Sequence, residues 1–377
     1  MPDTPHHLLP SREALIAAMI AESATFGFQE TTVARVAARA GVSRAEFYRQ
    51  FASKEECFLQ SFDELLRRAY SRVALAPGTP LSPQARDDRR SRARAGVAML
   101  VEVACLRPEA SKLCLVQTRG AGPLAAGRLD GALALFEQAF SHRETKGKTG
   151  ERGGVSATVV TGIVGGIYRV IYERLRSGHE RELPGLVDQI VEWMLLYDNP
   201  DPAQTPRRGK KPALGDRKGE STEAVSAGAR PTRRAALAAY ERGIERLMLA
   251  AEEPLRTASD WPAGVRAALG AVAELLGDEP ALLELLSVRI FTLGEAGRER
   301  DAQSLAAFAK LLAPGDRDYE GRTQSPLVSE LVAGGIWEIL HRHAVQGRGG
   351  ELRERTGALS YLALAPFIGR EAAARTR

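Results

Sequence analysis

The stretch TTVARVAARAGVSRAEFYRQFASKEECF, Thr31–Phe58, lies near the start of the chain and carries its strongest local signals. Thr31 or Thr32 can cap the run VARVAARA that follows, which has small and apolar residues at helical spacing. Gly41 can then supply the positive φ that a sharp turn between two helices often needs. Ser43 is an N-cap residue for the next helix, RAEFYRQF. The stretch therefore predicts two short helices joined by a tight turn.

The second of these helices is predicted to have an inward and an outward side. Phe47 and Phe51 share one side, because residues i and i+4 lie on the same helical face. Arg44, Ala45 and Tyr48 then fall on the outward side. A helix that enters the major groove of DNA offers its first residues to base edges. The Arg44 guanidinium can donate paired hydrogen bonds to the O6 and N7 atoms of guanine. The small Ala45 side chain permits close approach to the bases or contact with a thymine methyl.

Other residues of the stretch suit contacts with DNA phosphates. The hydroxyl of Tyr48 can reach a phosphate, and Thr32 and Lys54 open helices whose free N–H groups and dipole favour an anion. From spacing alone, an ordinary three-helix bundle with a charged face remains an equal alternative. The predicted DNA-binding residues are Thr32, Ser43, Arg44, Ala45, Tyr48 and Lys54.

Residues 11–62 resemble the DNA-binding domain of the TetR family of transcriptional regulators. The resemblance implies a three-helix head, a helical regulatory domain that binds a small molecule, and a dimer formed through the last two helices, here about 156–176 and 183–197. One departure is Ser23, where the family usually has a bulky aromatic residue; we expect Phe26 to fill that space. The motif residues that carry the resemblance are Thr32, Val33, Ala40, Gly41, Val42, Ser43, Tyr48, Phe51 and Lys54.

The composition of the whole chain agrees with a helical regulator. Its 377 residues are 44% hydrophobic and carry a net charge of +5, which is compatible with nucleic-acid binding. Apolar residues recur at helical spacing throughout, which predicts an all-α fold. The chain lacks a signal-peptide pattern and a membrane-length apolar run, so we expect a cytoplasmic protein with no membrane contact. Walker, HExxH and GxSxG motifs are absent, so neither an enzyme nor a cofactor or metal is expected.

The chain also contains an internal repeat. GIVGGIYRVIYERLRSGHEREL, Gly162–Leu183, resembles LVAGGIWEILHRHAVQGRGGEL, Leu331–Leu352. Each has a Gly-Gly pair followed by isoleucine and an aromatic residue, with Gly165 matching Gly334 at an offset of 334 − 165 = 169 residues. The repeat predicts a second, divergent TetR-like regulatory copy that lacks the helix-turn-helix.

These observations divide the chain into four predicted parts. The segment 198–231 is rich in Pro, Gly, Ser, Lys and Arg and has few large apolar residues, which is typical of a flexible linker. Its positive charges favour either solvation alone or non-specific contact with DNA phosphates. The predicted parts are the head, 11–55, a first regulatory and dimerisation domain, 56–197, the basic linker, 198–231, and a second TetR-like regulatory domain, 232–377.

The sequence thus predicts a DNA-binding transcriptional regulator, interpreted as a repressor that responds to an unidentified small-molecule effector. The alternative is a helical protein–protein adaptor, or a regulator whose head no longer reads DNA. Two modes of self-association stay open: the two copies pair within one chain, or two chains form a homodimer through their first copies.

No ligand-binding residue can be assigned from the sequence. The resemblance implies a pocket enclosed by the helices before the dimer pair, although each residue there is more simply interpreted as part of the core. His341 and His343 are expected to lie at the surface or partly buried. The residues considered for the pocket are Leu113, Gln117, Phe136 and Phe140.

Overall fold

The computed structural model describes five segments of the chain, and all the regular structure in them is helical. This confirms the predicted all-α fold. The predicted linker, 198–231, lies outside the described residues. Within the described segments, no helix is long and apolar enough to cross a membrane. The described segments are 11–75, 89–141, 156–197, 232–313 and 325–375.

Four helices make the N-terminal head, and the second and third match the two short helices predicted from the sequence. A core of aromatic and aliphatic side chains joins them, and the same core continues into Leu113, Ala121 and Ala125 further along the chain. The head therefore rests on the rest of the molecule through apolar contacts. Its helices are α1 (Ser11–Phe26), α2 (Val33–Ala40), α3 (Arg44–Gln50) and α4 (Lys54–Leu75).

The helices that follow fall into two groups, which we call the first body, 89–197, and the second body, 232–375. The first body contains α5 (Arg89–Leu106), α6 (Pro108–Ser111), a π turn (Lys112–Gln117), a 3₁₀ turn (Thr118–Gly120), α7 (Pro123–Ser141), α8 (Ala157–Ser177) and α9 (Leu183–Leu195). The second body contains α10 (Arg233–Thr257), α11 (Trp261–Asp278), α12 (Pro280–Ser287), α13 (Glu295–Leu312), α14 (Pro326–Val345), α15 (Thr356–Ile368) and α16 (Arg370–Arg375).

A single hydrophobic core runs through both bodies. At its centre α8 crosses α14, and Tyr197, just beyond the end of α9, donates its hydroxyl to the carbonyl of Leu362 in α15 at 2.7 Å. The resemblance implies that α8 and α9 form a dimer, and α14 contains the segment that corresponds to α8 in the repeat. We call this contact region the seam.

Glycines allow the close approach of α8 and α14. A Cβ on Gly166 would collide with the carbonyl oxygen of Leu331, and a Cβ on Gly335 would collide with the carbonyl oxygen of Gly162. The two collisions are reciprocal, because Gly335 corresponds to Gly166 in the repeat and Leu331 corresponds to Gly162. The seam thus has the approximate two-fold character of an isologous contact.

Buried ion pairs accompany the glycines. Arg169 of α8 pairs with Asp301 of α13, and both side chains are at most 1% exposed. Glu338 of α14 pairs with Arg119 of the first body, where both carboxylate oxygens accept from Nη2 at 2.7 Å. Burial alone would raise the pKa of Glu338, but the charge and hydrogen bonds of Arg119, together with its other neighbours, lower the pKa below its ordinary value. Each body therefore contributes charged groups that the other neutralises.

The expectation that His341 and His343 lie at the surface or partly buried is wrong for both residues. His341 is 1% exposed and His343 is 7% exposed. The Nδ1 atom of His341 lies 2.7 Å from the carbonyl oxygen of Ser287 and therefore carries the proton of that hydrogen bond. The reason is that α14 is central and is covered by neighbouring helices around most of its circumference, which the sequence of one helix does not reveal.

Candidate nucleic-acid interface

The helix α3 has the two-sided character that the sequence predicts. Phe47 and Phe51 are at most 1% exposed and lie in the core of the head. Arg44 and Ala45 are exposed at the start of the helix, and Tyr48 is 52% exposed one turn later. The Tyr48 ring is supported edge-on by Phe47, with the ring centroids 5.5 Å apart. The outward side is therefore presented to solvent on a helix whose inward side is firmly packed.

The turn before α3 has the predicted geometry. Gly41 follows α2 with a left-handed backbone, φ 68° and ψ 26°, and its N–H caps the carbonyls of Ala37 and Ala38. A Cβ at Gly41 would meet nothing within 4 Å, so the positive φ alone favours glycine at this position. The expected role of Gly41 in the turn is confirmed.

Thr32 and Ser43 cap the two helices of the motif. The Oγ1 atom of Thr32 accepts from the N–H of Arg35 at 3.3 Å, and the Oγ atom of Ser43 accepts from the N–H of Glu46 at 3.1 Å. Both side chains are exposed. Each hydroxyl still has its proton to donate, so both can give a hydrogen bond to a phosphate without losing the cap.

Lys54 begins α4, but its ammonium turns toward the interior of the head. The Nζ atom donates to the carbonyl of Phe28 at 3.0 Å and lies 4.1 Å from the centroid of the Phe28 ring. Burial lowers the pKa of Lys54 below its ordinary value. An ammonium has three N–H donors, so a phosphate contact by Lys54 has to be made with the donors that Phe28 does not use.

A buried carboxylate behind the motif was missed by the sequence analysis. Glu22 of α1 is 4% exposed and accepts hydrogen bonds from Arg35 at 2.8 Å and Arg39 at 2.6 Å, both on α2. Burial by itself would raise the pKa of Glu22, but the hydrogen bonds from Arg39 and Arg35 outweigh it, and the pKa lies below its ordinary value. The charged pairs hold α2 against α1. A glutamate on the apolar face of α1 was the sequence signal for this contact.

The expectation that Phe26 fills the space beside Ser23 is wrong. Ser23 is fully buried, with its hydroxyl 3.4 Å from the sulfur of Met19. Phe26 is 43% exposed, and the Arg35 guanidinium lies 3.5 Å above the centre of its ring. Phe26 is the last residue of α1, so its side chain emerges at the rim of the head and does not turn back into the core.

Two of the residues considered for a regulatory pocket, Leu113 and Gln117, lie where the head meets the first body. Leu113 is fully buried in the core that joins the head to the first body, and Gln117 is 5% exposed and bonds to the head. Phe136 is half-buried, and the side chain of Phe140 lies outside the described part of the chain. Gln117 thus belongs to the contact between head and body.

Comparison with known proteins gives a family match for the head and distant similarity to solved structures. Residues 10–60 match the family described as "Bacterial regulatory proteins, tetR family". The fatty acid degradation regulator FadR from Bacillus halodurans is similar in structure at 18% sequence identity and a TM-score of 0.40, over 50% of this chain and 95% of that chain. No curated protein matches the chain.

Proposed function

Because residues 10–60 belong to the tetR family of bacterial regulatory proteins, we propose that the chain is a transcriptional regulator that reads an operator with α3. The observation that carries this proposal is the outward side of α3, where Arg44, Ala45 and Tyr48 are exposed on a packed and capped helix. Arg44 and Ala45 read base edges in the major groove. Tyr48, with the hydroxyls of Thr32 and Ser43 and the ammonium of Lys54, binds phosphates and fixes the register.

The proposed regulatory unit is one chain in which the two bodies pair. Support comes from the charges at the seam, where Arg119 of the first body faces Glu338 of the second. In a homodimer of first bodies, Arg169 would occupy the position of Glu338, since the two correspond in the repeat. Arg119 would then face a second buried arginine, which is strongly unfavourable. One chain therefore carries one head, and an operator with two half-sites recruits two chains.

The proposed outcome of DNA binding is repression that ends when an effector changes the position of the head. This follows the resemblance, and its structural support is that the head is in contact with both bodies (Phe28 with Gln117, and Glu30 with Arg233). A ligand shifts such an equilibrium only by its difference in affinity for the two arrangements.

The central experiment selects genomic fragments with the purified chain and then compares variants on the best fragment. Arg44→Ala should relax base preference by about 1–3 kcal/mol at one position. Tyr48→Ala and Lys54→Ala should weaken binding to all sequences. Lys54→Ala should also reduce the slope of log affinity against log salt concentration by about one. Arg300→Ala, at an exposed arginine on α13 of the second body, is the matched control. Unchanged binding in all three head variants would refute this interface.

The pairing of the two bodies within one chain is tested by measuring the mass of the protein in solution, both free and bound to a DNA duplex with one half-site. The expected result is one chain in both cases, and two chains on a duplex with two half-sites. A chain ending at Tyr197 serves as the comparison. If it forms a stable homodimer, pairing within the chain loses its support.

A further inference from the structure

The turn between α1 and α2 is where the head meets the first body. The backbone N–H of Phe28 donates to the Oε1 atom of Gln117 at 3.2 Å, and the side-chain amide of Gln29 donates to the carbonyl of Gly120. Phe28 is 4% exposed. The turn is therefore held from the first body by two hydrogen bonds, one of them to a buried amide.

The second body reaches the same turn. Arg298 of α13 is 2% exposed, and its Nη2 atom lies 3.0 Å from the position that a Cβ on Gly27 would occupy. Its Nη1 atom lies 3.9 Å from the corresponding position on Gly120. Nearby, Arg233 at the start of α10 lies 3.7 Å from the carboxylate of Glu30. The turn is thus enclosed between the two bodies, and Arg298 is its buried contact from the second.

Gly27 permits this contact for two reasons. Its φ of 81° lies in the left-handed region, and its missing side chain leaves room for the Arg298 guanidinium. Gly41, the other left-handed glycine of the head, has nothing within 4 Å of its Cβ position. Glycine at position 27 is therefore required both by the left-handed backbone and by the close approach of Arg298, whereas glycine at position 41 is required by the left-handed backbone alone.

The position of Arg298 depends on how the two bodies pair. Its Nε atom donates to Glu295 of the same helix at 2.9 Å, and Glu295 also lies 3.1 Å from Arg176 of α8. Arg176 contacts Glu299 of α13 at 2.8 Å as well. One turn beyond Arg298, the Asp301 carboxylate pairs with another arginine of α8. Ion pairs on both sides of Arg298 thus join α13 of the second body to α8 of the first, and a shift between these helices would move Arg298 against Gly27.

We propose that Arg298 is a positioning residue through which the second body, which has no DNA-reading head of its own, holds the head of the first. With Gln117 on the other side, it fixes the α1–α2 turn and so sets the orientation of α3. It does not touch DNA. This inference rests on the proposed function only for its consequence at DNA, because the contact itself is independent of what α3 binds. A ligand that alters the pairing of the bodies would thus move Arg298 and, through it, the head.

The first test measures hydrogen exchange in the full chain, at the amides of Phe28 and Thr31. Arg298→Ala should speed exchange at both amides by roughly tenfold, because the turn opens locally, while amides in α8 and α14 keep their protection. Gln117→Ala is the positive control, since it removes the acceptor of the Phe28 N–H.

The matched negative control is Arg300→Ala, which removes an arginine from the exposed side of the same helix. The Arg300 side chain is 44% exposed and pairs with Glu241 at 2.6 Å. Its Nη1 atom also contacts Gln303 at 3.5 Å. Both partners belong to the second body, so Arg300→Ala should leave exchange at Phe28 and Thr31 unchanged.

Arg298→Ala is a mild change for the rest of the molecule. Its carboxylate partner, Glu295, is 62% exposed, so removal of the guanidinium does not leave a buried charge unpaired. Arg298→Met, which keeps most of the buried volume, is the second variant if Arg298→Ala lowers the overall stability. Unchanged exchange at Phe28 and Thr31 in a folded Arg298 variant would overturn the proposal.

The second test measures DNA affinity on the selected fragment. Arg298→Ala should weaken binding several-fold, about threefold to tenfold, because the head loses its pre-organised orientation. Base preference should stay unchanged, which separates Arg298 from Arg44. If the wild-type chain binds no DNA, the proposed function fails, but hydrogen exchange still decides the role of Arg298. If the wild type binds and the Arg298 variants bind equally well, the positioning role is refuted.

Discussion

Two buried glutamates, Glu22 in the head and Glu338 at the seam, accept hydrogen bonds from arginines on neighbouring helices, yet their surroundings differ. Glu22 is 4% exposed, but the side chains of its partners Arg35 and Arg39 are 40% and 46% exposed. Glu338 and its partner Arg119 are both 1% exposed. The head pair is therefore open to water and salt on the arginine side, whereas the seam pair is closed on both sides.

This difference separates two uses of charge. A half-exposed pair adds little to stability, and salt screens it. A fully buried pair adds little net stability over apolar residues, but the loss of one partner is costly. At the seam such pairs favour one combination of bodies, since a homodimer of first bodies would bring Arg119 against Arg169. We infer that the charges of the head support local structure and those of the seam select the partner.

The largest expected effect is the loss of the seam pair. Glu338→Gln removes the carboxylate that is bonded to the buried Arg119 guanidinium and leaves only Asp130, at 3.9 Å, so it should lower the free energy of unfolding by about 3 kcal/mol. Glu330→Gln is the control, because Glu330 lies on the same helix and pairs with Arg174 of α8 at 3.0 Å, but is 41% exposed. It should cost less than about 1 kcal/mol. Urea unfolding of the full chain measures the free energy of unfolding of both variants. Equal decreases in the two variants would contradict the distinction between buried and exposed ion pairs.

The next effect concerns the shape of the seam. Gly335→Ala directs a Cβ at the carbonyl oxygen of Gly162 and should destabilise the chain by about 1–3 kcal/mol through overpacking. Gly185→Ala in α9 is the matched change, since no atom lies within 4 Å of its Cβ position. Gly185→Ala should raise stability by about 0.5–1 kcal/mol, because alanine favours helix. Thermal unfolding compares the two, and a neutral Gly335→Ala would contradict the close helix contact.

The smallest effect is expected at Glu22 and depends on pH. At neutral pH, Glu22→Gln should cost less than about 1 kcal/mol, because the arginine partners are half-exposed. The pKa of Glu22 in the folded head lies below its ordinary value of 4.5, so its contribution is present above that pH and is lost as the pH falls further. The difference in unfolding free energy between wild type and variant should therefore shrink in acid. A difference that stays constant with pH would contradict the pKa direction.

The sequence predicted the head well because its signals are local. The caps at Thr32 and Ser43 and the left-handed turn at Gly41 depend on neighbours within a few positions, and all three have the expected geometry. The inward side of α3 was also predictable, because Phe47 and Phe51 follow helical periodicity. Side chains at the rim were less predictable. Phe26 turned outward, and Lys54 turned toward Phe28, because both depend on contacts between helices.

By itself, then, the sequence determined a helical chain, the helix-turn-helix with its outward residues and the pair of glycine-bearing segments. It did so because capping, turn geometry and helical periodicity act over one or two turns. Only the tertiary structure brought α8 against α14, buried Arg119 with Glu338, and placed Arg298 beside Gly27. Those contacts join residues far apart in the chain, so they and the low-dielectric core around them exist only after the two bodies have packed.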